Sequence, residues 1–281
     1  MSESYTTEEL KKIQSLELEA LHTIITVCEK CNIEYFLVGG SVLGAIRHDG
    51  FIPWDDDIDV GMTRDNYRRF LKEAPQLLPE KYYLQTPYNG DKNPYFYSKL
   101  RINGTKFVEY CNRQINMHHG VFVDIFPFDE VPDEEQLNKE QFEKVQKLIR
   151  LFSFRQVPDI SEKPITIPDK LKSIFRRSIH FASRVIPYDY LAQKLEKEIT
   201  KYNGTGQKAL ACLNFPKRKV SYILKTDLYP LTSHNFDGVS ASIPYNYDAY
   251  LRTQYNDYMK LPPEEQRFGH KPYYVELDVN S

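Results

Sequence analysis

The sequence has few cysteines, a single tryptophan and almost no net charge. Its four cysteines include Cys28 and Cys31 at CxxC spacing, but no second such pair exists in the 281 residues. Because Cys28 also continues an apolar helical stripe, reduced buried thiols are favoured over a zinc knuckle or a redox pair. The 37 basic and 39 acidic residues leave a formal charge of −2. This balance argues against a general nucleic-acid binder, which would carry a strong basic excess.

Long apolar runs are also missing from the sequence. No stretch approaches the roughly 18 consecutive apolar residues that a transmembrane helix needs. Segment 1–12 is polar and acidic, unlike the basic and then apolar start of a signal peptide. We therefore expect a cytoplasmic protein. With 41% hydrophobic and 14% aromatic residues, the chain can form a sizeable folded core.

The first 130 residues alternate between helical and strand patterns. Thr6 and Glu9 have capping-box spacing and precede an apolar stripe of helical period, which predicts a long first helix. Short apolar runs that end at glycine, threonine or proline predict buried strands. The predicted elements are a helix at 6–28, a strand at 35–38, a helix at 41–46, a strand at 58–62, a helix at 63–71 and a strand at 120–126.

Two further predictions concern turn residues. The pair Asn103 and Gly104 lies between strand-like runs at 95–101 and 105–110, and Asn-Gly is the strongest short signal for a β-hairpin. Pro127 is expected to end the preceding strand, because proline cannot donate to a sheet ladder.

The rest of the chain changes character. Segments 134–154 and 168–202 have mostly helical patterns, whereas 216–281 is rich in tyrosine and proline and is expected to be irregular. The sequence therefore predicts an α/β (α+β) fold, with a mixed sheet and flanking helices followed by a mainly helical second half. The predicted divisions are a catalytic core at 1–130, a helical segment at 131–215, and a C-terminal wrap at 216–281 that completes the site.

The densest chemical feature is the segment 55–59, which contains four aspartates. In an extended chain Asp55, Asp57 and Asp59 lie on one face, where their charges repel. Clusters of carboxylate oxygens suit hard divalent cations such as Mg²⁺, Mn²⁺ or Ca²⁺. A solvated acidic loop is the alternative. The apolar residues on both sides favour a metal site.

A candidate phosphate-binding turn lies just upstream. Gly39, Gly40 and Ser41 follow a predicted strand and begin a predicted helix, so backbone N–H groups and the helix N-terminus could contact an anion. By itself this is also the composition of an ordinary turn. Together with an Asp-x-Asp pattern on the next strand, it favours phosphoryl or nucleotidyl transfer.

These two segments resemble the LicD family. Residues 38–47, VGGSVLGAIR, and 52–60, IPWDDDIDV, are closely similar to its first blocks, and 99–101, 123–127 and 250–270 are similar to later ones. The family belongs to the nucleotidyltransferase superfamily and is related to fukutin and fukutin-related protein. The resemblance implies a nucleotidyltransferase-like core at 1–130.

The resemblance also implies an activity. It indicates a metal-dependent phosphotransferase that moves phosphocholine from CDP-choline to a sugar hydroxyl of a bacterial cell-surface glycan, such as lipopolysaccharide or teichoic acid. Another CDP-alcohol donor, such as CDP-ribitol or CDP-glycerol, and nucleotidyl transfer remain alternatives. A non-catalytic glycan-binding protein is the alternative from a different functional class.

Residue roles follow from the resemblance by position. Asp57 and Asp59 match the paired aspartates of the superfamily, and Asp124 matches the third carboxylate, with Mg²⁺ or Mn²⁺ as the cofactor. Asp124 serves as a ligand or as the general base, and Asp55 as an additional ligand or an outer partner. The residues expected to contact substrate or phosphate are Gly40, Ser41, Arg47, Lys99, Arg101 and His270. Lys99 and Arg101 are two residues apart and so share a strand face.

Segment 170–186 combines an apolar stripe with five basic residues. Such a helix can lie on a membrane surface, which would suit a lipid-linked glycan acceptor at the inner face of the membrane. The alternative is a helix packed on the core with a solvated charged face. The basic cluster at 217–219 could add to the binding of an anionic glycan or lipid.

Overall fold

Helices and strands alternate through the first half of the chain, as the sequence predicts. The structure is a computed structural model that describes residues 5–88, 93–159, 167–215, 222–270 and 272–278. The helices in these ranges are α1 Thr7–Cys31, α2 Gly39–His48, α3 Arg64–Glu73, α4 Glu135–Gln156, α5 Ile167–Ser183, α6 Tyr188–Ile199, α7 Lys225–Leu228 and α8 Tyr247–Tyr255. The strands are β1 Phe36–Leu37, β2 Asp59–Thr63, β3 Tyr82–Gln85, β4 Ser98–Ile102, β5 Lys106–Glu109, β6 Phe122–Val131, β7 Ala209–Ala211, β8 Tyr222–Leu224, β9 Thr232–Phe236, β10 Val239–Ile243 and β11 Pro272–Glu276.

A mixed sheet forms the centre of the fold. Its strand order is β1-β2-β6-β4-β3, and β7 and β8 extend it from the C-terminal part of β6. The pair β2–β6 is parallel and places Asp59 opposite Asp124, while the antiparallel pair β4–β6 places Lys99 opposite Asp124. Three strands thus bring candidate site residues together. The predicted α/β class, with a mixed sheet and flanking helices, is confirmed.

The first helix is fixed by its predicted cap and its apolar face. The Thr6 side chain accepts from the backbone N–H of Glu9, and the Glu9 carboxylate accepts from the backbone N–H of Thr6 at 2.7 Å. Ile13, Leu21 and Ile24 on this helix are fully buried in the main core beside the sheet. All four cysteines are free thiols. Cys28 and Cys212 are buried as expected, whereas Cys31 and Cys111 are partly exposed.

The predicted hairpin at Asn103 and Gly104 is wrong. A turn forms, with φ of +79° at Gly104, but β4 and β5 do not pair with each other. Both edges of β4 are occupied, by β3 and by β6, and β5 pairs instead with β11 near the C-terminus. A turn motif in the sequence does not indicate which edges of a strand are already paired with other strands.

The predicted strand end at Pro127 is also wrong, because β6 continues to Val131. The N–H of Asp124 donates to the carbonyl oxygen of Ile58, just before β2, so by alternation the nitrogen of Pro127 faces the other edge of β6. On that edge β6 pairs with β4 only as far as Ile125, and its pairing with β7 begins at Asp129. Pro127 lies in the gap, where no partner strand needs its missing donor.

The middle of the chain is helical, as predicted, and builds a second core from α4 and α6 with β7. The helical pattern at 168–202 is divided at Pro187, the N-cap of α6. Within the described ranges, no helix combines the length and the apolar composition needed to cross a membrane. The predicted cytoplasmic location stays a prediction, and the basic cluster at 217–219 lies outside the described residues.

The C-terminal segment is more regular than its composition suggests. It contains a hairpin of β9 and β10, the helix α8, and β11, which pairs with β5. The resemblance to the LicD family puts Asn256 where a glycine is usual. This residue has φ of +57° and ψ of −109°, which lies outside the left-handed helical region that asparagine tolerates, so the expectation of that conformation is wrong. The segment therefore returns to the first half of the chain.

Candidate active site

The turn at Gly39 and Gly40 brings the start of α2 against the acidic segment. Gly39 has φ of +55°. A Cβ atom on Gly39 would lie 3.1 Å from Oδ2 of Asp59, and one on Gly40 would lie 3.0 Å from Oδ2 of Asp55. These separations are shorter than ordinary van der Waals contacts, so the two glycines allow the carboxylates to approach the helix N-terminus closely.

Hydrogen bonds hold the turn in place. The backbone N–H of Asp59 donates to Oγ of Ser41 at 2.8 Å, and the N–H of Val38 donates to the carbonyl oxygen of Asp59 at 3.0 Å. The N–H of Gly39 donates to the hydroxyl of Tyr250 at 3.0 Å. The Ser41 hydroxyl oxygen is the acceptor in its bond with Asp59, so its own proton is left to donate to a phosphate, as the sequence predicts.

The predicted metal ligands gather at this turn. Burial raises the pKa of Asp59, and the nearby charges of Asp57 and Asp124 raise it further. Burial also raises the pKa of Asp55 to about 8, with Asp57 as the next cause. Burial raises the pKa of Asp124 to about 6, although Lys99 opposes the change. Like charges held this closely favour a positive partner.

The donor set of the cluster fits a divalent cation. Oxygens of Asp56 and Asp57 and a ring nitrogen of His270 lie within 4.8 Å of one another. On α1, Glu17 is buried, and its Oε2 has no hydrogen-bond partner among the described residues. The charges of the aspartates, Asp57 first, add to the effect of burial in raising the pKa of Glu17. Carboxylate oxygens at this density suit Mg²⁺ or Mn²⁺.

Asp56 and Glu17 are the carboxylates that the sequence analysis did not assign. Asp56 is buried and accepts from the backbone N–H of His270 at 3.0 Å and from its ring Nδ1 at 2.9 Å. The hydrogen bond to Asp56 raises the pKa of His270 to about 10, and the charge of Asp57 also raises it. Residues 55–58 precede β2, and Asp56 and Asp57 both approach His270, so strand alternation gave no signal for this role of Asp56.

Lys99 joins the cluster through Asp124. Its Nζ lies 2.8 Å from Oδ1 and 3.1 Å from Oδ2 of that carboxylate, and both side chains are almost completely buried. The ammonium also lies 3.4 Å from the centre of the Phe122 ring. Lys99 thus neutralises Asp124 in this structure and does not present a free cation to a phosphate.

Arg101 lies on the same face of β4, as predicted, since its guanidinium is 5.0 Å from the same Phe122 ring. Its side chain is fully buried, with Nε donating to Gln85 at 2.6 Å and Nη1 to the carbonyl oxygen of Gly120 at 2.8 Å. Arg101 therefore has no solvent-exposed donor with which to bind a phosphate, contrary to the expectation.

Arg47 is also engaged within the protein. Its Nη1 donates to the carbonyl oxygen of Tyr258 at 2.7 Å, and its Nε to the ring of His48 at 2.9 Å. Arg47 thus links the end of α2 to the C-terminal segment.

The structure brings the aspartates, the glycine turn, Lys99 and His270 together, and Arg47 is not part of this group.

A small cavity adjoins the turn and Asp59. Its volume is about 110 Å³, and Gly39, Gly40 and Asp59 form one side of it. Most of the remaining wall is aromatic. Its residues are Val38, Phe128, Phe215, Tyr250, Gln254 and Tyr255.

Comparison with known proteins identifies the family of this chain. The nucleotidyltransferase domain family described as LicD/FKTN/FKRP matches residues 32–157. The lipopolysaccharide cholinephosphotransferase LicD of Haemophilus influenzae is 30% identical over 273 residues, which are 95% of this chain and 96% of that protein. The chain belongs to the LicD family. Its predicted aspartates all lie within the matched range, whereas Tyr250, Tyr255 and His270 lie beyond it.

Two shorter similarities cover only part of this LicD-family chain. An uncharacterized protein of Rickettsia typhi is 41% identical over 56 residues, 20% of this chain and 17% of that protein. The human ribitol 5-phosphate transferase FKRP is 46% identical over 44 residues, 16% of this chain and 9% of that protein. Related proteins are thus named for transferring different phosphorylated groups.

Proposed function

We propose that this LicD-family protein transfers phosphocholine from CDP-choline to a hydroxyl group of a cell-surface glycan, such as lipopolysaccharide or teichoic acid. The near full-length similarity to a cholinephosphotransferase supports the reaction class. The similarity to FKRP keeps a ribitol phosphate donor as the competing assignment.

The proposed reaction is a displacement at phosphorus. The acceptor hydroxyl attacks the phosphorus that carries choline, a new P–O bond forms, and the pyrophosphate bond to CMP breaks. CMP leaves with the bonding electron pair, and the hydroxyl proton goes to a base. We assign that base to Asp124, because burial raises the pKa of its carboxyl to about 6, although Lys99 opposes the change.

Asp57 and Asp59 would hold a divalent cation, with Asp55 as a further oxygen ligand. Such a cation, when bound, would neutralise the charge that develops on the leaving CMP. The chain itself positions the carboxylates, because Gly39 and Gly40 let them approach the N-terminus of α2. That helix end favours negative charge, so it would also orient the donor phosphates.

The aromatic cavity beside Asp59 is the observation that favours choline over ribitol as the alcohol of the donor. Four of its lining residues are aromatic, and rings attract quaternary ammonium groups through their π faces. A polyol such as ribitol would instead need hydrogen-bonding groups, and this wall offers few besides Gln254 and two tyrosine hydroxyls. One of those hydroxyls, that of Tyr250, already accepts from Gly39.

The test is calorimetric titration with CDP-choline, CDP-ribitol and CDP-glycerol in the presence of Mg²⁺. We expect the tightest binding with CDP-choline and its loss in Asp57→Asn and Asp59→Asn. Asp65→Asn is the matched control, because Asp65 is exposed on α3. Release of CMP with a glycan acceptor then reports turnover.

Two outcomes would contradict the proposal. If no CDP-alcohol binds, or if Asp57→Asn binds as tightly as Asp65→Asn, the site assignment fails. If CDP-ribitol binds more tightly than CDP-choline, the cluster stands but the choice of donor fails.

A further inference from the structure

Helix α5 exposes its apolar side to solvent. Six large apolar side chains in and just after this helix are between 61% and 83% exposed: Ile167, Leu171, Ile174, Phe175, Phe181 and Val185. At 100° per residue, the five within the helix fall on one side of it. Scattered exposed apolar residues are ordinary, but a continuous apolar helix face of this size indicates a binding surface.

The opposite side of α5 is polar and attaches the helix to the protein. Ser173 is buried and its Oγ donates to Asp159 at 2.6 Å. The Arg176 guanidinium donates to Oγ of Ser153 at 3.2 Å, and Nδ1 of His180 lies 3.0 Å from the carbonyl oxygen of Phe154. This arrangement is the reverse of a core-packed amphipathic helix. The alternative of a helix packed on the core by its apolar stripe is therefore wrong.

Cations border the exposed apolar side. The segment 167–186 contains five basic residues and one acidic residue. Lys170, Arg177 and Arg184 are spaced seven residues apart, which places them in a nearly straight row along one flank. All three are exposed, and Lys172 is exposed on the other flank. Among the described residues, Arg177 has an acidic partner, Asp159 at 3.1 Å.

We propose that α5 lies flat in the surface of a bilayer that contains anionic lipids. Its 17 residues span about 25 Å, and interfacial helices combine an apolar face, exposed aromatic rings and flanking cations in this way. The charge pattern argues against a second copy of the chain as the partner, because two such faces would bring like charges together. The polar attachment to α4 leaves the apolar side free for insertion.

The experiment is sedimentation of the full chain with vesicles of phosphatidylcholine alone or mixed with phosphatidylglycerol. We expect binding to the mixed vesicles that weakens with added salt. Phe175→Gln combined with Phe181→Gln should lower the partition coefficient by about tenfold or more. The triple variant Lys170→Gln, Lys172→Gln and Arg184→Gln should lower it by about tenfold or more on mixed vesicles only.

A matched control removes the same charge elsewhere. Lys139, Lys144 and Lys147 are exposed on α4, and their triple glutamine variant should bind mixed vesicles as the wild type does. Equal losses in the two triple variants would overturn the proposal, as would no binding to mixed vesicles. A dimer in light scattering that Phe175→Gln with Phe181→Gln dissociates would also overturn it.

All variants should keep the circular dichroism spectrum and the CDP-choline affinity of the wild type, since the substituted side chains are exposed and outside the candidate active site. The membrane-binding proposal and the proposed donor can therefore be contradicted independently of each other. If the double phenylalanine variant loses its helical signal, Ile174→Gln alone serves as the second variant, with the same direction expected.

Discussion

At the scale of single residues, Glu17 illustrates what the acidic cluster does to a neighbouring carboxyl. It lies on α1 with 1% of its surface exposed, and burial and the nearby aspartates raise its pKa well above the ordinary value. A carboxyl of this kind keeps its proton in the folded state at pH values where the unfolded chain has lost it. The helical period of α1 predicts only that position 17 faces inward. Which charges it faces depends on how α1 packs on the sheet.

The first prediction concerns the pH dependence of stability in metal-free protein. Because the folded state binds the extra proton, the free energy of unfolding should fall as pH rises above about 4.5, the ordinary value for glutamate. Glu17→Gln should make that decline shallower by about 1.4 kcal/mol per pH unit. Urea denaturation in EDTA over a pH series measures the slope. An unchanged slope, equal to that of the exposed control Glu143→Gln, would contradict the prediction.

The second prediction concerns donor selectivity at the aromatic cavity. Tyr255 lines the cavity and is 39% exposed, so Tyr255→Leu should remove a ring without disturbing the core. We expect the dissociation constant for CDP-choline to rise about two- to thirtyfold, the range of a cation–π contact. The value for CDP-glycerol should change little. Tyr274→Leu, an exposed tyrosine on β11, is the control, and parallel losses for both donors would remove the cation–π explanation.

At the scale of elements, periodicity located helices and strands more reliably than it paired them. Short apolar stretches in the sequence predicted the strands β2 and β6. The partners of β4 and the continuation of β6 past Pro127 depend on which edges other strands occupy. That information is spread over residues 58–211, so no local signal contains it. The same reason explains why the burial of Arg101 was not foreseen.

The third prediction concerns how α3 is attached to β6. Arg64 and Asp129 form a buried pair, with Nε and Nη2 of the arginine donating to the two carboxylate oxygens at 2.8 and 2.6 Å. Asp129→Asn leaves a buried guanidinium without its counter-charge, which should lower the free energy of unfolding by about 3–5 kcal/mol. Chemical denaturation measures the change.

The control for this pair is an ion pair on the surface. Arg68 and Glu196 lie 3.0 Å apart, and the arginine side chain is 54% exposed. Glu196→Gln should cost less than about 1 kcal/mol, because solvent screens the pair. Similar decreases in the free energy of unfolding for Asp129→Asn and Glu196→Gln would show that the buried pair stabilises the attachment of α3 no more than a surface pair does.

At the scale of the whole molecule, the site is assembled from the two ends of the chain. The Gly39–Tyr250 and Asp56–His270 hydrogen bonds join residues more than 200 positions apart. The family resemblance extended to 250–270, so a C-terminal contribution to the site was predictable. Its contacts were not, because a tyrosine-rich segment gives no indication of which backbone donor each hydroxyl meets.

The fourth prediction concerns the hydrogen bond between Asp56 and His270. In Asp56→Ala the backbone N–H of His270 loses its acceptor, so its hydrogen exchange should become at least about tenfold faster, as in a locally opening loop. Asp56→Asn keeps a carbonyl oxygen at the same position and should retain most of the protection. Amides of the hairpin β9–β10 should not change in either variant, since no described contact joins them to Asp56. If His270 exchanges at the wild-type rate in Asp56→Ala, other contacts hold the C-terminal segment, and Asp56 does not anchor it.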